Sequence, residues 1–162
     1  MSDLQASSAT REPRATGALR IRWITGALVT LGFAAVTFGL GRMIWPAPVG
    51  AAEPPSGLVP FFIGLSAAES VLFGLGVCFI VFGYRRVAGA GQPIWLSYAT
   101  YLAVAWLMLS WWPHDNLHRT TLAGNWTGLL AIDYGFHLTL MAASGIVAVF
   151  AYRALRHPEG RT

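Results

Sequence analysis

The chain has 162 residues, of which 55% are hydrophobic and only 11% charged, and its mean hydropathy is +0.53. A soluble domain carries about a quarter charged residues, so this composition excludes a water-exposed globule and predicts an all-α integral membrane protein. The chain has no Lys, which excludes a Schiff-base cofactor and a Walker-type phosphate loop. Its single cysteine, Cys78, excludes an internal disulfide, a C-x-x-C-H haem attachment and a Cys-ligated iron–sulfur cluster.

In chain order, residues 1–20 are rich in Ser, Ala, Thr and Arg and read as a disordered cytoplasmic tail. Four apolar stretches follow, Ile21–Trp45, Val59–Tyr84, Ile94–Trp112 and Gly128–Tyr152. Each reaches the roughly 20 residues a helix needs to span a bilayer. The expected architecture is a four-transmembrane-helix bundle over residues 21–153, with a second cytoplasmic tail at 154–162. The first stretch resembles a signal peptide, with Val49-Gly50-Ala51 as a cleavage site. Its apolar run exceeds the roughly 7–15 residues of a signal core, so a retained anchor is expected.

Loop 46–58 contains Pro46, Pro48, Pro54 and Pro55 and reads as a stiff connector. The second connection, 87–92, is short and Gly-rich, which predicts antiparallel neighbours on either side. Two small-residue faces are expected to let helices approach closely: Ser66, Ser70 and Gly74 on the second span, and Gly32, Ala35 and Gly39 on the first.

Orientation follows from the arginines. Arg11, Arg14, Arg20, Arg22, Arg85, Arg86, Arg153, Arg156 and Arg161 fall on one side of the spans, and only Arg42 and Arg119 on the other. The positive-inside bias places both termini in the cytoplasm, with loops 46–58 and 113–127 outside an inner membrane. The basic balance is then a topology signal with some attraction for anionic lipid, and nucleic-acid binding has no support.

Ionisable groups inside a span are costly and mark function by default. Three stand out: Glu69 in the second span, and Asp133 and His137 in the fourth. At 1.5 Å rise per residue, Glu69 lies about 13 Å from the outer end of its span, Asp133 about 8 Å and His137 about 13 Å. They therefore occupy one layer. Asp133 and His137 are four apart and share a helical face, continued by Met141, Ser144 and Ala148 as a predicted bundle-facing stripe with Tyr134 beside it. Above this layer the outer loop reads Trp112-Pro113-His114-Asp115-Asn116-Leu117-His118-Arg119. Pro113 suits the first position of a short helix, in which His114 and His118 share a face at a chelating spacing, and Leu117 and Leu122 seat the segment on the bundle. His157, the fourth histidine, lies in the second tail.

The candidate ligand set is thus His114, His118, Asp133, His137, Glu69 and Asp115. Imidazoles with carboxylates match copper or zinc first, with iron or haem b behind them. Asp115 and Asp133 are also placed to orient imidazole ligands through their second ring nitrogen. Asp133 and His137 resemble one element of the copper site in the membrane subunit of particulate methane and ammonia monooxygenases. That likeness covers those two residues alone, since the family's further His, about a dozen residues on, has no counterpart before His157. A looser likeness is to alkaline ceramidases, which place His, Asp and Ser on several spans and have more of them.

Three functional readings follow. The first is a transition-metal site in a redox, hydrolytic or metal-handling role. The second is an accessory or assembly subunit of a larger membrane complex, or a homo-oligomer, docked through its small-residue faces. The third is a haem-b or quinone electron-transfer subunit, with His137 paired to a loop histidine.

Overall fold

The computed structural model describes residues 12–50, 53–121 and 124–156, with side chains from residue 21 onward. The described residues are all helical where they are regular: α1 (Glu12–Ile44), a 3-10 turn (Ser56–Leu58), α2 (Val59–Phe82), α3 (Tyr84–Ala88), α4 (Ile94–Leu109), α5 (Trp111–Thr121) and α6 (Trp126–Arg156). Three stretches are long and apolar enough to cross a membrane, Ile21–Ile44, Ser56–Phe82 and Trp126–Arg156, and α4 with α5 supplies a fourth if the bent pair is one span. The first helix begins at Glu12, ahead of the boundary expected at Ile21. Ala, Leu and Arg are strong helix formers, so residues 12–20 extend α1 rather than ending it. Residues 1–11 and 157–162, the remainder of the two expected tails, and Leu122 lie outside the described residues.

The helices pack in the order α1, α2, α4, α6, and α5 touches both α2 and α6 at one end. The α1–α2 contact depends on Gly74, where a Cβ would collide with the carbonyl oxygen of Thr30. Facing it, Thr30, Ala34 and Thr37 are buried at i, i+4 and i+7. The Thr37 hydroxyl donates within its own helix to the Phe33 carbonyl at 2.8 Å, so burying it leaves no orphan donor. The small-residue face expected on α1 is therefore the wrong one. A Cβ at Gly32 or Gly39 meets nothing within 4 Å, and Ala35 is exposed. A helix that is apolar all round carries no periodic signal for which side meets its neighbour.

At the other end of α2, the Tyr101 hydroxyl donates to the Ile80 carbonyl at 2.5 Å, and Tyr84 stacks on Tyr98. Arg86 lies over the Trp23 ring at 5.9 Å. Outward surfaces of the long helices are apolar: Leu28 on α1, Phe61 on α2 and Met141 on α6 are each more than 60% exposed. Contiguous apolar exposure on this scale suits lipid or a partner rather than water.

The third apolar stretch is shorter than expected. It ends at Leu109 rather than Trp112, and α5 turns away by 45° after Ser110. Pro113 explains the break, because a continuous helix would need its N–H to bond the Leu109 carbonyl and proline has none. Pro113 is the third residue of α5 and not the first. In the first turn the missing N–H costs nothing, so α5 restarts cleanly.

Candidate metal centre

α5 is short and polar and does not itself make a span; it lies across the end of the bundle. Its placement is fixed from two sides. Arg119 Nη2 donates to the Trp45 carbonyl at 3.1 Å and to Asn116 Oδ1 at 2.6 Å. Asn116, buried, donates in turn to the Trp112 carbonyl at 2.7 Å. Trp112 meets Trp45 edge-on with ring centroids 6.3 Å apart. These contacts hold α5 against the end of α1.

The second side is α6. Gly124, at φ 85°, makes a turn that a side chain would strain. Asn125 then caps the helix, its Oδ1 accepting from the Gly128 N–H at 2.9 Å. Capping starts α6 at Trp126, ahead of the expected Gly128, and sets Asp133 about two turns into the helix. Phe136, buried one turn further on, stacks on the His114 ring with centroids 3.7 Å apart.

In this frame His114 and His118 share the predicted face of α5, with ring centroids 4.6 Å apart. Both turn toward Asp133. His118 Nε2 lies 2.7 Å from Asp133 Oδ1, and His114 Nε2 lies 3.7 Å from the same oxygen. One ligand atom from each of the three residues falls within 4.8 Å of the others. Two ligands about 2.1 Å from a tetrahedral ion are about 3.4 Å apart. The His114–Asp133 separation already matches, and the His118–Asp133 hydrogen bond has to open by about 0.7 Å to admit an ion. His114 Nε2 is buried without a hydrogen-bond partner. Burial first, and the His118 and His137 imidazoles after it, push the His114 pKa below its ordinary value, while Asp133 and Asp115 pull the other way. The neutral imidazole this favours is the form that binds metal.

Glu69, buried in α2, lines a cavity of about 330 Å³ together with Trp111, His114, Asp115, His118 and Asp133. Five of the six expected site residues therefore border one space. Glu69 and Asp115 stand outside the compact ligand group.

His137 is arranged differently from the expectation. Its Nδ1 donates to the backbone carbonyl of Asp133 at 2.8 Å, so the two side chains do not pair with each other. A carbonyl only accepts, so Nδ1 carries the hydrogen of this bond. The ring lies 5.7 Å from that of His114 and outside the ligand group. The stripe expected to face the bundle is exposed: His137, Met141, Ser144 and Ala148 all point outward, as does Tyr134, and α6 buries Phe136 and Ala143 instead.

The spacing of His114 and His118 was the clearest signal in the chain. Sequence reasoning missed the residues that build the site around them: Arg119 and Asn116, which hold α5, and Trp111 and Phe136, which wall it. Their i, i+3 spacing was the signal for the Asn116–Arg119 pair. Comparison with protein-family models, characterised proteins and solved structures finds no match.

Proposed function

We propose that this is a multi-pass inner-membrane protein that binds a transition-metal ion, copper or zinc, through His114, His118 and Asp133. The observation that carries the reading is His114 Nε2, a buried ring nitrogen with no hydrogen-bond partner, 3.7 Å from a carboxylate oxygen that a second imidazole also reaches. A buried polar atom left unmatched is costly, and an ion shared by the three groups removes that cost. Two imidazoles and a carboxylate suit zinc, copper(II) or iron(II). Haem fits less well, because axial ligands approach iron from opposite faces, whereas His114 and His118 share one helix face and one carboxylate.

Both termini are placed in the cytoplasm by the arginine bias, so the metal site opens on the outer side. The test is elemental analysis by plasma mass spectrometry on detergent-purified, tag-free protein and its His118→Ala variant. Near one equivalent of copper or zinc in the wild type, lost in the variant, is expected. A wild type that holds no ion after reconstitution with each metal would reduce the cluster to a structural hydrogen bond.

A further inference from the structure

We infer that one side of α6 is a homodimer interface: the stripe Leu130, Tyr134, His137, Met141, Ser144 and Ala148 packs against the same stripe of a second copy of this chain, with the two helices parallel. The inference rests on the membrane-spanning reading above and is independent of the metal.

α6 is last in the row of helices and packs against α4 and α5 with the side that buries Phe136 and Ala143. All six residues of the stripe are exposed, Met141 to 70%. They recur at alternating intervals of four and three, the heptad spacing of a coiled-coil seam, and so run along one side of the helix. The other flank, with Ala131, Gly135, Ala142 and Val149, is exposed as well but wholly apolar, which suits lipid.

Unmatched polar groups separate the two flanks. Exposed threonines close their bonds within their own helices: Thr25 donates to the Ile21 carbonyl at 3.0 Å and Thr139 to the Gly135 carbonyl at 2.7 Å. Among the described residues, the Tyr134 and Ser144 hydroxyls have no hydrogen-bond partner, and His137 uses only Nδ1, leaving Nε2 without one. His137 lies about 16 Å and Ser144 about 27 Å along α6 from Trp126, depths at which lipid tails offer nothing to bond. A polar side chain there is matched by one on another helix.

A second copy carries the matching groups at the matching levels. Two copies with one orientation in the membrane, related by a two-fold axis along the bilayer normal, bring each residue to the depth of its twin. Ser144 then meets Ser144, and His137 Nε2 meets the second copy's Tyr134 hydroxyl one turn away, a pair that the two-fold repeats in reverse. A hydroxyl both donates and accepts, so the pair forms whether or not Nε2 carries a hydrogen.

The test is oxidation with diamide of membranes from cells expressing the full chain, with Cys78→Ser removing the native thiol. Met141→Cys and Ala148→Cys, on the seam, are expected to form a disulfide-linked species of twice the 17.5 kDa chain mass. They should link at least about fivefold more than Ala142→Cys and Val149→Cys on the lipid flank, whose Cα atoms stay beyond the roughly 7 Å a disulfide spans. The His137→Leu, Ser144→Ala double variant, still folded by circular dichroism, should shift the wild-type dimer toward monomer by light scattering in detergent. Absent linking on the seam, equal linking on both flanks, or linking only to a different protein would each overturn the interface. A chain that alkaline carbonate washes from the membranes would overturn the spanning reading instead, a result distinguishable from these.

Discussion

The α1–α2 contact and the α5–α6 contact both bring polar side chains between helices, buried in the first and part-exposed in the second. Between α1 and α2, the Thr37 hydroxyl is satisfied inside its own helix and the helices touch through small residues. Between α5 and α6, His114 keeps an unmatched nitrogen and Asp133 is reached by two imidazoles on the neighbouring helix. Unmatched atoms alone do not separate the two contacts, since the buried hydroxyls of Ser70, Ser97 and Thr100 also lack partners. What sets α5–α6 apart is convergence, with ligand atoms of His114, His118 and Asp133 within 4.8 Å of one another.

The largest effect should come from His118→Ala or His114→Ala. Either is expected to weaken zinc binding more than about 100-fold by calorimetry in detergent, well beyond what loss of a supporting residue costs. Retained affinity in both variants would erase the contrast. Gly74→Leu should lower stability by about 1–3 kcal/mol, because overpacking drives α1 from α2, while zinc per folded molecule stays near the wild-type value. Thermal unfolding in detergent measures the first and elemental analysis the second. Arg119→Ala removes a partly exposed clamp on α5 and is expected to cost about 1 kcal/mol, with a several-fold loss of zinc affinity if that clamp positions His114 and His118. His137→Ala sharpens the comparison most finely. With its Nδ1 on a backbone carbonyl and its ring outside the ligand group, it should change zinc affinity less than about threefold. A loss as large as that of His118→Ala would place His137 on the ion.

The apolar lengths made the helices legible, and the i, i+4 spacing of His114 and His118 made half of the site legible. Periodicity states which residues share a face and is silent on where that face points when the whole helix is apolar. Gly32, Ala35 and Gly39 therefore look as suited to a contact as Thr30, Ala34 and Thr37, through which the contact runs. The same ambiguity covers Met141, whose spacing from His137 suggests an inward face and which points outward in the fold. Asp133 was paired with His137 by spacing along α6, but its carboxylate meets His118, fifteen residues earlier in the chain. That partner depends on the bend after Ser110, which Pro113 causes and which no spacing rule places in space.

The bend has a consequence for the bilayer. At 1.5 Å per residue, the 16 residues of α4 extend about 24 Å, less than the roughly 30 Å of a hydrocarbon layer, and the 31 residues of α6 extend about 46 Å. A bilayer that takes up this protein is mismatched in opposite senses on neighbouring helices. Thinning beside α4, where α5 bends away, and a tilt of α6 would relieve the mismatch. Thinning of that kind would bring headgroup water toward α5, and the cleft lined by His114, His118 and Asp133 would then take up water from the side, with no channel through the bundle.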